Sequence, residues 1–409
     1  MFFVVGITSE DLEGIESVAE YGRQSPDDSY WFPSSEDQSV VAKEVFRYPS
    51  TADDVQVQKR SNVIQDFAFP NGVKLRKLNS MRNENITETL QKLLFMIPKN
   101  RKNSYIFTLD ANMEANADIS GVDNYFNILC VKFDTLLRRR SDGEVFIVEQ
   151  AFCMLSKNSF FHAQFEALDT LLKVINHNQR IRMELGLVET ALDGGEQTVD
   201  SNLKMERSIL AINYEDDRTY CSIQKLYNQE IMANQDNKSQ YPLGFKFDLV
   251  INTYVPDFDE SISNPFCYCF PDKFKDCYSF SFMWHVPVML SLFQNFRIVL
   301  RLVTAIFLER SIIFISKNPA KLSSVILGLK SMIKPFSWCG TLIPVLPGAL
   351  LEIIDSPLPL LVGITQESYE QLREDYELDE ELVESKTWVH LDDRDPFDSG
   401  FINESRPES

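Results

Sequence analysis

Apolar and polar residues follow one another along this chain in two regimes, one with the period of strands and one with the period of helices. Residues 2–7 are a short apolar run and predict a buried strand. Residues 10–54 are acidic, rich in Ser, Asp and Pro, and lack sustained periodicity, which predicts mostly loop. Phe67-Ala68-Phe69-Pro70-Asn71-Gly72-Val73-Lys74-Leu75 sets a Pro-Asn-Gly turn between two apolar pieces. A short helix is predicted over 86–96, then strands over 105–109, 125–133 and 144–155, whose polar connections fit an antiparallel meander. Ser159 is placed to cap a helix in which Phe161, Phe165, Leu168, Leu172 and Ile175 recur at 4, 3, 4, 3 spacing. The first half therefore reads as a sheet with helices, ending near Asn178.

From 179 to 240 the pattern dissolves into a polar connection marked by Gly194-Gly195, Glu215-Asp216-Asp217 and Asn234-Gln235-Asp236-Asn237-Lys238. So long a connection is unusual inside one compact domain and reads as an interdomain linker or insertion. The second half is more regular. Phe245, Phe247, Leu249 and Ile251 alternate with Lys246, Asp248, Val250 and Asn252 as on a half-buried strand. Met289, Phe293, Phe296, Leu300, Val303 and Phe307 form a helical stripe. Ile312-Ile313-Phe314-Ile315 is apolar on both faces, as central parallel strands are. Asn318 then stands as N-cap with Pro319 in the first helical turn, and Leu322, Val325, Ile326, Leu329 and Ile333 face inward from the helix they open. Strands over 341–345 and 360–364 flank a short helix over 348–354, with a further strand over 388–391. Strand–helix–strand–helix–strand implies an α/β sheet with right-handed crossovers.

Composition narrows the function. The chain has 409 residues, and 60 acidic against 40 basic side chains give a net charge of −20. That length suits two or three domains, and 44% hydrophobic with 24% charged residues is globular composition. The acidity argues against nucleic acid as ligand and against unaided docking on anionic lipid. Seven cysteines at uneven positions do not form a disulfide framework. Residues 1–7 lack a basic lead and do not read as a signal peptide. The most apolar stretch, 280–315, is broken by His285, Gln294, Asn295, Arg297, Arg301, Glu309 and Arg310, so no membrane span is expected and a cytoplasmic protein is.

Reactive groups are scarce. His162 and His177 lie on the amphipathic helix and read as structural, and His285 beside Trp284 reads as packing. Cys267-Tyr268-Cys269 with Cys277 lacks the spacing and the second pair that zinc prefers. No Walker-type loop, nucleophile elbow or His-Glu-x-x-His occurs, so neither covalent catalysis, metal nor cofactor is expected. Arg138-Arg139-Arg140 reads as a solvated hairpin tip, with a contact to an acidic partner, or an arginine supplied to a GTPase, as the sharper alternative.

Several ordered segments carry a resemblance. Leu308-Glu309-Arg310-Ser311-Ile312-Ile313-Phe314-Ile315-Ser316, Lys321-Leu322-Ser323, Pro335-Phe336-Ser337-Trp338, Ile343-Pro344-Val345-Leu346-Pro347 and Ser356-Pro357-Leu358-Pro359-Leu360-Leu361-Val362-Gly363-Ile364 closely resemble the central segment of DENN domains. Upstream, Phe69-Pro70-Asn71-Gly72-Val73, Tyr105-Ile106-Phe107-Thr108-Leu109 and Cys153-Met154-Leu155-Ser156-Lys157-Asn158-Ser159-Phe160-Phe161 resemble further motifs of that family, with Ser159 where Pro is common. Val389-His390-Leu391-Asp392-Asp393 resembles its last central strand.

The resemblance implies a longin-like upstream module at 1–178, with an antiparallel sheet and helices, and a polar linker or insertion at 179–244. It implies an α/β DENN module with a mostly parallel sheet at 245–392, and an acidic tail or the start of a truncated downstream segment at 393–409. It also implies guanine-nucleotide exchange on a Rab-family small GTPase held in the groove between the modules, with only peripheral contact to endosomal or vesicle membranes. Ser316, Lys317, Asn318 and Lys321 leave the central strand where open α/β sheets present ligand-facing loops. The Phe69, Pro70, Asn71, Gly72 turn is the analogous exposed feature of the first module. A GTPase-binding scaffold, or a GTPase-activating variant using Arg76 or Arg139, are the alternatives.

Overall fold

The computed structural model describes residues 2–13, 39–48, 63–77, 104–110, 125–139, 141, 144–156, helical positions between 161 and 175, 223–224, 245–247, 266–268, 277–293, 295–375 and 385–393. The helix expected over 86–96, the Ser159 cap and residues 248–252 lie outside the described residues.

Two sheets organise the chain. The first has seven strands, β1 (Phe2–Gly6), β2 (Ser39–Val40), β3 (Lys43–Tyr48), β4 (Val73–Lys77), β5 (Ser104–Asp110), β6 (Tyr125–Arg138) and β7 (Val145–Ser156). Every pairing in it is antiparallel. β7 is its spine. One edge takes β6 along its whole length, while the other is shared between β1, opposite Ala151–Met154, and β4, opposite Phe146–Val148. Side chains alternate between faces with the strand period. Phe3, Ala151, Cys153 and Leu155 enter one core, and Phe2, Val4, Phe152 and Met154 another, where helical Phe161, Phe165, Leu168, Leu172 and Ile175 cover them. The expected helical face is therefore the packed one.

A short hairpin, β8 (Phe245–Phe247) with β9 (Phe266–Tyr268), precedes the second half. Next come helices α1 (Cys277–Leu292) and α2 (Phe296–Phe307), strand β10 (Ile312–Ser316), helix α3 (Pro319–Met332) and strand β11 (Thr341–Ile343). A 3₁₀ segment (Gly348–Asp355), β12 (Leu360–Thr365), α4 (Gln366–Asp375) and β13 (Thr387–His390) follow. The sheet runs β11-β12-β10-β13 and every pair is parallel. All five side chains of β10 are buried, which is what a strand covered on both faces requires.

The long apolar stripe predicted from Met289 to Phe307 resolves differently. It is broken after Phe293, where Asn295 takes extended backbone and its side chain accepts the Arg297 N–H, restarting the helix. The buried line of α2 is Val299, Leu302 and Ile306, while Phe296, Leu300 and Phe307 face outward.

α3 lies between the two sheets, so it is buried from Leu322 to Leu329 on every side. On one side it packs on β10 and β12, and on the other on β5. There the Ser323 hydroxyl donates to the Ile106 carbonyl at 2.7 Å and accepts the Ile106 N–H at 3.0 Å, satisfying backbone groups that β5 turns away from β6. The two sheets thus share one apolar core. Among the described residues no helix is long and apolar enough to cross a membrane.

Candidate functional site

The C-terminal ends of β10, β12 and β13 form one edge of the parallel sheet. Ser316 ends β10 and pairs in register with Thr365, which ends β12. The chain leaving β13 stays close, its Leu391 N–H donating to the Ile315 carbonyl at 2.9 Å. Asn318 caps α3 as its position before Pro319 predicts, with its side chain accepting the Ala320 N–H at 2.9 Å. Asp392 gathers this exit. Its carboxylate accepts the Lys317 N–H at 2.7 Å and the Ser316 hydroxyl at 3.0 Å, and it pairs with the Lys321 ammonium. Burial works to raise the Asp392 carboxyl, but the Lys321 ammonium and the Lys317 N–H outweigh it and hold the group below the ordinary carboxylate range. Ser316 is fully buried, Asn318 and Lys321 are half-buried, and Lys317 is exposed.

The Phe69–Gly72 turn arrives from the other sheet. The Tyr105 hydroxyl donates to the Phe67 and Ala68 carbonyls, which anchors the helical turn 63–68 to β5. The chain then reverses through a Gly72 N–H to Phe69 carbonyl bond of 3.0 Å. Gly72 has φ 76° in the left-handed region, and a Cβ there would stand 2.9 Å from the Val40 carbonyl oxygen. Phe69 is buried under the Lys132 ammonium, 4.4 Å from its ring centre.

The turn, expected to be an exposed feature, is docked on the parallel sheet. The Asn71 amide donates to Thr365 Oγ1 at 2.8 Å and to Glu367 Oε2 at 2.7 Å, and its oxygen accepts the Ser368 hydroxyl at 2.9 Å. Lys74 pairs with Glu367, and the Gly348 N–H donates to the Pro70 carbonyl at 3.0 Å. Asn71 and Thr365 are 294 residues apart in the chain. The two predicted groups, Phe69–Gly72 and Ser316–Lys321, therefore converge at one end of the parallel sheet through the Ser316–Thr365 pair. Thr365, Glu367, Ser368 and Asp392 are the partners that reading the sequence left unassigned. A signal for the first and third exists, since Thr365 N-caps α4 by accepting the Ser368 N–H at 3.2 Å, three residues on.

The alternative arginines belong to the antiparallel sheet. Arg76 is on β4 opposite Ile147. Arg139 closes the β6–β7 hairpin, its guanidinium 2.7 Å from Glu144 Oε2 and 5.2 Å from the Phe146 ring centre. The side chains of Cys267, Cys269 and Cys277, and His177, lie outside the described residues, among which no His, Cys, Asp and Glu cluster is arranged to hold a metal ion. His285 is buried against Phe161, and burial with neither ring nitrogen hydrogen-bonded pulls it down to about 3. What the edge offers is polar surface built by two sheets.

Residues 278–387 match the profile of the DENN (AEX-3) domain. This match takes in about a quarter of the chain. It runs from α1 to the first residue of β13 and so includes the whole path from α3 to Thr365. The chain is also similar to human DENN domain-containing protein 2A, 39% identical over 95 residues, which is 22% of this chain and 9% of that protein. Mouse DENN domain-containing protein 2B is 37% identical over 78 residues, 19% of this chain and 7% of that protein. Human DENN domain-containing protein 2D is 35% identical over 89 residues, 22% of this chain and 19% of that protein. The similarity thus spans less than a fifth of each of these relatives' length.

Proposed function

We propose that this chain is a guanine-nucleotide exchange factor for a Rab-family small GTPase. DENN domains generally act in this way, and the match to that family is the first support. We read the seven-stranded antiparallel sheet as a longin-like upstream module and residues 245–392 as the DENN module, with 179–244 as the linker or insertion between them. The observation that carries the reading is the convergence just described. The Asn71 turn and the Ser316–Lys321 exit come from distant parts of the chain and meet at the C-terminal edge of the parallel sheet, where open α/β sheets bind ligands.

Exchange needs binding energy rather than reactive groups. A partner that binds the nucleotide-poor, switch-open GTPase more tightly than the loaded one weakens nucleotide binding by the same factor, because the coupling is reciprocal. A pocket holding nucleotide at picomolar affinity, about −16 kcal/mol, must be weakened by several powers of ten. A rigid edge supplied by two sheets suits that task, since little ordering free energy is lost when it is gripped.

The test is release of fluorescent GDP from a panel of Rab proteins, with GTP hydrolysis measured alongside. Accelerated release from at least one Rab without faster hydrolysis is the expected result. Faster hydrolysis, or binding without accelerated release, overturns the proposal in favour of activation or of a scaffold. Within this reading Lys317 is the residue to change, because its side chain is exposed while its backbone N–H holds Asp392. Lys317→Glu is expected to weaken GTPase association about tenfold with an unchanged melting temperature. An unchanged association constant removes Lys317 from the interface.

A further inference from the structure

α2 carries an apolar strip that stands exposed among the described residues. At about 100° per residue, Phe296, Leu300 and Phe307 fall within an arc of about 40° on the helix. They are 56%, 51% and 54% exposed. Phe336, from the loop after α3 and 62% exposed, sets its ring edge-on against Phe307 with centroids 5.5 Å apart. Leu308 extends the strip at its end. Single exposed apolar residues need no explanation, whereas a contiguous set drawn from two elements marks an interaction surface. The strip is about 16 Å long, which matches three turns of a helix laid along it.

Its rim decides the partner. Arg297 and Arg301 stand one turn apart on the flank that faces solvent, and Arg310 follows the helix end. Glu309 lies alongside, its carboxylate accepting the Cys339 thiol at 3.6 Å. In a chain of net charge −20 this cationic edge is local. Screening over about 8 Å at physiological salt confines its effect to whatever lies on the strip. A lone acidic helix laid along the strip meets both its apolar residues and these arginines.

We propose that the α2 strip is a docking site for an acidic amphipathic helix of another protein, its apolar face on Phe296, Leu300, Phe307 and Phe336 and its carboxylates on Arg297 and Arg310. This surface is separate from the Asn71 and Asp392 edge, so it stands or falls independently of the exchange activity.

The experiment uses the full chain and a fluorescein-labelled synthetic helix with Leu along one face and Glu on both flanks, followed by anisotropy. A Lys-flanked helix of the same apolar face is the control. Saturable binding of the Glu-flanked helix is expected, weakening as salt rises, with the Lys-flanked helix at least about tenfold weaker. Leu300→Glu and Phe307→Glu, both at exposed positions, are expected to weaken it about tenfold or more. Arg297→Glu with Arg310→Glu is expected to reverse the preference between the two helices. Equal binding of both helices, or binding untouched by these variants, overturns the proposal. So does self-association in sedimentation, or binding to phosphatidylserine vesicles, that the Leu300→Glu variant abolishes in place of helix binding.

Discussion

Asn71 directs its whole side-chain amide at the other sheet, with both its NH₂ group and its oxygen engaged by Thr365, Glu367 and Ser368. Removing it leaves those partners inside a half-buried joint with nothing to replace the bonds. Asn71→Ala is expected to lower stability by about 1–3 kcal/mol, read as a shift of the urea midpoint at unchanged slope. Lost GTPase binding with no shift in midpoint would mean instead that Asn71 is free to contact a partner. His285 makes a different demand, since its ring is buried with no hydrogen-bond partner and titrates near 3 in place of its ordinary value near 6.5. As pH falls below 6.5 the unfolded chain takes up a proton that the folded chain refuses, so stability is lost on acidification. The slope is about 1.4 kcal/mol per pH unit over that window. Between pH 7 and pH 5 the protein is expected to lose about 2 kcal/mol more than His285→Leu, by urea denaturation of both. Equal acid sensitivity of the two chains would show that another group governs the loss.

At the scale of elements, a glycine sets how closely β12 is approached. Gly363 lies mid-strand in β12, and a Cβ there would stand 2.3 Å from the Pro344 carbonyl oxygen and 3.0 Å from Leu322 Cβ on α3. Gly363→Ala is therefore expected to cost about 3 kcal/mol, seen as a lowered melting temperature, and a neutral result would mean that the 344–346 loop moves freely. Which elements exist was legible from residues alone where one physical cause dominated. The all-apolar Ile312–Ile315 run, the Asn318-Pro319 helix start and the Pro-Asn-Gly turn each carry a local cause, and each is found in place. Partnership was not legible. Nothing local to Asn71 announces Thr365, and nothing local to Asp392 announces Lys317, because those contacts are made by tertiary packing. The stripe on α2 misled for a related reason. A helical period records which apolar residues share a face, not whether that face is buried, and Phe296, Leu300 and Phe307 share one that is open.

For the whole molecule the decisive element is α3, whose Leu322, Val325, Ile326 and Leu329 join one core with Phe3, Phe107 and Phe146 of the antiparallel sheet and Ile312, Phe314 and Leu361 of the parallel one. A helix buried on all sides cannot leave one sheet without exposing apolar surface to water, at about 25 cal/mol for each Å². The Ser323–Ile106 bonds and the Asn71 joint add polar ties at two further places. The sequence reads as two modules joined by the polar stretch at 179–244, and the shared core predicts that their stabilities are coupled. Opening of one sheet is expected to open the other. Native-state hydrogen exchange should then give the amides of Phe152 in β7 and Phe314 in β10 the same opening free energy within about 1 kcal/mol, and Asn71→Ala should lower both together. Two distinct opening energies, with only one responding to the substitution, would mean that the sheets fold as separate units and that the proposed GTPase site lies at a hinge in place of a rigid edge.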